Sequence, residues 1–368
     1  MRLQTAIAFA LVAVTIPALA QDASSARPVR HGLSIGNYPN VAGLRLNFRD
    51  RDLQSVKGAN VTIWTPYEPM SGEVRGFAVG LPMTGAGSVH GIAASLFGIG
   101  VAKELKGIAV APVGVGSGGR VRGITVAGVG VGTGGDLDGL ALGGIGAGAG
   151  GDVHGILLGG VGAGVGGSIR GAAAGLVGVG AGGSGRGLLL GGIGAGVGGD
   201  FSGIAAGGIG VGAGGNGRGV LVGGIGAGVG GDFRGVGFGG VGFGVGGDLR
   251  GVAIGAIGVG AGRSVDGIAI AGVGIGSPTI RKFAMAPMIG ANHMNGLMVA
   301  PVLARLEKGG SMRGVSVSAV NAMRGQQTGL TIGLVNYARE LNGMQIGVIN
   351  IARNANVKFL PIVNYHRK

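Results

Sequence analysis

GLLLGGIGAGVGGDFS (Gly187–Ser202) and GVLVGGIGAGVGGDFR (Gly219–Arg234) are two copies of a sixteen-residue phrase that recurs eleven times from Gly91 to Asp266 without insertion or deletion. A period this short cannot enclose a core of its own, so the copies must stack and share one. Numbered from the first Gly, bulky apolar residues fall at positions 2 and 4, at 7, 9 and 11, and at 15, while Gly fills most of 6, 8, 10, 12 and 13. Both apolar sets alternate with period two, which is strand spacing, and the density of Gly and Val argues against helix. The parity changes between positions 4 and 7, so a straight strand would bury one half on each face. A corner near positions 5 and 6 brings both sets inside. Pro112, Pro287 and Pro301 align to position 6, where a central strand would lose a ladder hydrogen bond. A second turn is written at positions 12 to 14 as Gly-Gly-Asp/Ser/Asn, with Gly supplying unusual dihedrals and a short polar side chain bonding locally.

Two strands and two turns per repeat make one coil of a flattened parallel β-solenoid, all-β, with about twenty such coils stacked in the chain. Side-chain volumes agree with stacking. Positions 9 and 11 read Ala163/Val165, Val179/Ala181 and Ala195/Val197, and position 15 reads Gly185, Phe201, Gly217, Phe233. Large and small residues that swap from coil to coil interdigitate in a close-packed interior; a duplicated two-repeat ancestor would leave the same pattern. An antiparallel β-barrel or sheet with one strand per repeat is the alternative, since such a repeat also fits one membrane-spanning strand plus a turn. The parity change, the position-6 prolines and the lack of a polar lumen-facing set count against it.

Around this block the chain divides as follows: 1–20, Arg2 followed by an apolar run and Ala18-Leu19-Ala20, reads as a secretory signal peptide; 21–42 as a linker or N-terminal extension; 43–90 as degenerate capping repeats; 91–266 as the strict repeats; and 267–368 as irregular C-terminal repeats and cap. An exported chain in the periplasm, the outer membrane or at the cell surface is expected. With 93 Gly in 368 residues and no strict triplet, collagen is excluded, while fixed Val, Ile and Leu positions argue against disorder. No Cys is present, which removes disulfides, thiolate metal sites and a lipid-bearing Cys. Within the strict repeats charges recur often enough that no uncharged run reaches the roughly eighteen residues a transmembrane helix needs. The net charge is +14, and the last 88 residues hold eleven basic residues against two acidic ones.

Position 8 becomes Asn at Asn321, Asn336, Asn350 and Asn364, and a parallel stack would align them as an amide ladder along one edge. GLTIGLVNYARELN, GMQIGVINIARNAN and the closing LPIVNYHRK resemble the repeats of a bacterial glycine-rich surface-repeat family of the leptospiral type, clearly over about residues 296–368. The resemblance implies export and an envelope or surface location, and carries no cofactor or catalytic residue with it.

The chemical motifs are weak. GLSIG (Gly32–Gly36) has the G-x-S-x-G spacing around Ser34, without the strand-turn-helix context that exposes such a serine. G-x-G-x-x-G, as at Gly194, Gly196 and Gly199, recurs by chance in a chain one-quarter Gly. His31, His90, His154, His293 and His366 are scattered with no pair at ligand spacing. The position-14 aspartates Asp136, Asp152, Asp200, Asp232 and Asp248 lack calcium β-roll spacing and read as turn residues. Arg170, Arg186, Arg218, Arg234 and Arg250 at position 16 should stand in a row beside them. No catalytic, cofactor or metal residue is assigned, and nucleic acid is not an expected partner. The sequence therefore suggests a non-enzymatic structural or surface-interaction protein. Two alternatives stand beside it: a barrel or pore, and a module that holds anionic envelope polymers through Arg305, Lys308, Arg313, Arg324, Arg339, Arg353 and Lys358. Association through the solenoid ends is a further possible mode.

Overall fold

The computed structural model describes residues 28–64 and 66–367; the segment read as a signal peptide lies outside them. The repeats form an all-β solenoid in which each strand pairs in parallel with its counterpart one coil away. A coil has one long strand over positions 15 to 5, such as Gly185–Gly191, and one short strand over positions 8 to 11, such as Gly194–Val197. Bends at Gly192-Ile193 and Gly198-Gly199 join them. Like positions align without slippage, Gly171 opposite Gly187 opposite Gly203. Two parallel strands per repeat rule out the one-strand antiparallel barrel for these residues. At about 4.8 Å per coil the stack is on the order of 100 Å long.

The core differs from the expectation in which apolar set it takes. Positions 15, 3, 5, 9 and 11 point inward, as at Phe201, Leu189, Ala195 and Val197, and these residues are buried. Positions 2, 4 and 7 point outward: Leu188, Leu190 and Ile193 are 37%, 40% and 47% exposed. The reason is strand alternation carried back one turn. Position 15 lies on the same strand as positions 2 and 4 and has the opposite parity, so burying Phe201 and Phe233 turns 2 and 4 out, on the side of the position-16 arginines.

Interdigitation is real. A Cβ on Gly217 would meet Phe233 Cδ2 and Val229 Cγ2, each at 2.9 Å, and one on Gly185 would lie 3.1 Å from Phe201 Cδ2. The phenyl rings therefore occupy the space that the glycine of the adjacent coil leaves. Where position 9 is Phe243, position 3 of the same coil is Gly237, and a Cβ there would run into the Phe243 ring. Phe243 also packs edge-on to Phe233, with centroids 5.0 Å apart.

The unusual dihedrals sit at position 1, inside the long strand, and not at the 12–13 turn. Gly187, Gly203 and Gly219 have φ of +120°, +144° and +116°, and a Cβ on any of them would collide with the carbonyl of the previous coil. Lys282 takes this place once, at φ 80°. The polar residue at position 14 bonds between coils, not locally. Asp200 Oδ1 accepts the Asn216 N–H at 2.6 Å, Asn216 Oδ1 accepts the Asp232 N–H at 2.9 Å, and Asp232 Oδ1 accepts the Asp248 N–H at 2.9 Å. Any short acceptor serves, so Ser and Asn alternate with Asp.

The ends are closed by different chemistry. The stack begins ahead of Gly43, because Arg30–Ile35 already pairs in parallel with Asn40–Asn47. Behind it, Arg45 is fully buried: its guanidinium pairs with Asp50 and donates to Asn60 Oδ1 and Asn37 Oδ1 at 2.8 Å each, and to the Tyr38 carbonyl at 2.9 Å. Asp50 also accepts from Thr62 Oγ1 at 2.6 Å and from Asn47 and Asn60. Burial alone would raise the Asp50 pKa, but the Thr62 hydrogen bond and the Arg45 charge together hold it below the usual carboxylate value. At the C-terminus the last copy does not continue the spiral. Phe359–His366 folds back antiparallel on the preceding strand, Gly343 opposite His366. The amide ladder accordingly has three rungs and lies in the interior, not along an edge. Asn321 Nδ2 donates to Asn336 Oδ1 at 2.8 Å and Asn336 Nδ2 to Asn350 Oδ1 at 2.7 Å, whereas Asn364 faces Gln345 and its Nδ2 has no partner.

Candidate interaction face

Two files of apolar side chains run parallel to the solenoid axis on the outer face of the long strands, and a third, position 7, runs along the adjoining corner. Position 2 contributes Ile156, Leu188, Ile204 and Val236; position 4 contributes Leu190, Val222 and Phe238; and position 7 contributes Ile193, Ile209, Ile225 and Ile257. Ile204 and Ile209 are each 51% exposed, and Ile257 is 53% exposed. The files continue into the irregular C-terminal coils through Met285, Leu297 and Val302, which are also exposed. The face of the short strands is the reverse. Its outward positions 8 and 10 are Gly, and a Cβ at Gly164, Gly180 or Gly212 would meet nothing within 4 Å. That side offers backbone and no side chains.

Position 16 borders the aliphatic files on the same strand face, because 16, 2 and 4 share parity. Arg170 stands in register with Arg186, Arg218 with Arg234, and Arg234 with Arg250. Like charges stacked in a sheet repel, yet compensation is partial. Arg250 approaches Asp248 at 3.6 Å and Arg170 contacts His154 at 3.1 Å. Among the described residues no carboxylate lies within ion-pair distance of Arg186, Arg218 or Arg234. The neighbouring position-14 acids are engaged elsewhere. Asp136 has a pKa held down first by the Asp152 backbone N–H and then by Arg120, and Asp232 first by the Asp248 N–H and then by Arg263. A groove lined by both files runs from Ser168 to Arg250.

The C-terminal basic residues are brought together only in part. Arg324, Arg339 and Arg353 are each exposed and follow the inward residues Met323, Ala338 and Ala352, so they form a second file. Arg353 also lies over the Tyr337 ring, 5.7 Å from its centroid. Arg305 is occupied by Glu307 at 2.9 Å. Lys308 lies on the surface beside Gly309 (φ 76°), Arg313 precedes Gly314 on a long strand, and Lys358 sits in the final turn. Ser34 is buried in the first strand and its hydroxyl has no partner. His90 bridges Glu73 at 2.8 Å and Glu104 at 3.4 Å, an acid-base cluster that chain spacing hides. Among the described residues no group of His, Cys, Asp and Glu could hold a metal ion. No helix among them is long and apolar enough to cross a membrane.

The aliphatic face is the feature that sequence reading missed. The signal was present: Arg at position 16 and apolar residues at 2 and 4 share one strand and one parity. Family models, curated proteins and solved structures searched with this chain gave no match.

Proposed function

We propose that the protein is a non-enzymatic, exported rod that acts as a docking scaffold in the cell envelope, its binding surface being the outer face of the long strands. One observation carries this reading. Aliphatic side chains at positions 2, 4 and 7 are repeated in register along the rod although none of them is needed to fill its core. Contiguous exposed apolar patches beyond several hundred Å² mark interaction surfaces in soluble proteins. Export is supported by the sequence of residues 1–20 and by the resemblance of the C-terminal repeats to envelope repeat proteins. The test is to replace Leu188, Leu190, Ile204 and Ile209 together by Ser and compare fractionation of the producing cell. The wild-type chain should sediment with the envelope and the variant should move to the soluble fraction while keeping its circular dichroism. An unchanged distribution would overturn the reading. A second reading, binding of anionic polymers by the C-terminal coils, is favoured by the Arg324–Arg339–Arg353 file. Replacing these three by Ser should then lower retention on a heparin column, and unaltered retention would remove it.

A further inference from the structure

We infer that the occupant of this face is an anionic lipid bilayer, on which the rod lies flat with the aliphatic files in the acyl boundary and the position-16 arginines on lipid phosphates. The inference rests on the docking reading above and names its partner. Area alone does not choose the occupant. Eleven strict coils at about 4.8 Å and a strip from position 2 to position 7 at about 3.3 Å per residue give a patch on the order of 800 Å², which is also what one partner of a standard protein interface buries.

Charge chooses. A second copy seated on this face would desolvate Arg186, Arg218 and Arg234, which have no carboxylate among the described residues within ion-pair distance, and would bring a groove in which the five position-16 arginines from Arg170 to Arg250 outnumber the three aspartates Asp200, Asp232 and Asp248. A phosphate layer supplies the missing anions. A guanidinium presents a planar fork that binds phosphate oxygens in pairs, and three or more such groups at coil spacing meet a continuous row of headgroups. The geometry is that of an interfacial amphipathic element built from a sheet: apolar residues on one side of a strand face, Arg along their border, and a bare glycine face turned to water. The adjacent Asp200 and Asp232 carboxylates each accept a backbone N–H of the next coil through Oδ1, and neither lies within ion-pair distance of Arg186, Arg218 or Arg234.

The experiment uses the full chain from Gln21 onward, free of detergent, mixed with vesicles of phosphatidylcholine alone or of phosphatidylcholine with phosphatidylglycerol, and separated by flotation. A polarity-sensitive dye is placed on Leu190→Cys, on the aliphatic face, or on Gly180→Cys, on the glycine face, where a side chain has open space. Expected are flotation with the anionic vesicles, weakening as salt rises, and a blue shift at position 190 but not at 180. Replacing Arg170, Arg186, Arg218 and Arg234 by Ser should lower partitioning about tenfold or more. Should that variant misfold, Leu188→Ser with Ile204→Ser tests the same face, and it should lower partitioning with the arginines intact. Absence of flotation, or a shift at 180 in place of 190, would overturn the inference. So would binding to soluble polyphosphate without binding to vesicles. A dye at 190 that is already buried in a dimer, with vesicles adding nothing, would overturn the lipid assignment and leave the docking reading standing. Failure of both would appear as a monomeric rod whose position-190 dye never leaves water.

Discussion

Val229 and Arg234 lie five residues apart and bear opposite relations to the core. Val229 is 4% exposed among Phe233 and its neighbours, while Arg234 projects from the long strand into solvent. Val229→Asp would bury an unpaired charge and should cost several kcal/mol, against less than about 0.5 kcal/mol for Arg234→Ser. Equal melting temperatures for the two variants would show the inward set misplaced. Glycine divides in the same way. Gly219 holds a φ of +116° and a Cβ on it would collide with the carbonyl of Gly203, whereas a Cβ on Gly212 would meet nothing within 4 Å. Gly219→Ala should therefore cost about 1–3 kcal/mol and Gly212→Ala close to nothing, as thermal melting of the pair would read directly. Composition could not separate these two kinds of glycine. A position-1 and a position-10 glycine look alike in the sequence, and only the stacking distance to the next backbone tells them apart.

At the scale of the element, each strict coil is small and glycine-rich, and the ends carry the specialised chemistry. The N-terminal coils replace an apolar core by the Arg45–Asp50 network, in which every donor of the guanidinium group named above has an acceptor. Removing one partner of such a pair leaves the other charge buried, and Asp50→Asn should cost about 3–5 kcal/mol. The network also sets a pH dependence. The folded-state pKa of Asp50 lies below its unfolded value of about 3.9, so its contribution is complete above that value and is lost as pH falls through the depressed one. Trp64, the single tryptophan, sits two residues beyond Thr62. Its fluorescence should stay constant from neutral pH down to about 4 and change below it, and Asp50→Asn should flatten that transition. A wild-type transition centred well above pH 4 would assign it to another group. The polar, charged character of these coils was legible in the sequence, but the network was not, since Arg45 and Asp50 meet Asn60 and Thr62 only once the next coil is stacked on theirs. The C-terminal closure was hidden for a related reason. The Asn repeat suggests that the spiral continues to Asn364, and the antiparallel return of Phe359–His366 follows a turn that carries no repeat signal.

For the whole molecule, an exact sixteen-residue period, two strands per coil and proline at a corner were enough to give the parallel solenoid, because backbone spacing and close packing leave few other ways to stack such copies. The period did not by itself say which apolar set faces out. Positions 2 and 4 and positions 9 and 11 have equally strong strand patterns, and hydrophobicity suggested that both were inside. The deciding fact is the opposite parity of position 15, where Leu, Val and Ile, and between Gly185 and Phe233 alternate Gly and Phe, fill the core, and it places the aliphatic files beside the arginines on the surface. The proposed docking role depends on that placement. The native chain has no cysteine, so single-cysteine variants report accessibility without background. The direct measurement is the rate of reaction with a water-soluble maleimide at Leu188→Cys, Leu189→Cys and Leu190→Cys in the detergent-free, dilute protein. Residues 188 and 190 are 37% and 40% exposed and residue 189 is 1% exposed, so fast labelling at 188 and 190 with protection at 189 is expected. Fast labelling at 189 with protection at 188 and 190 would contradict the account.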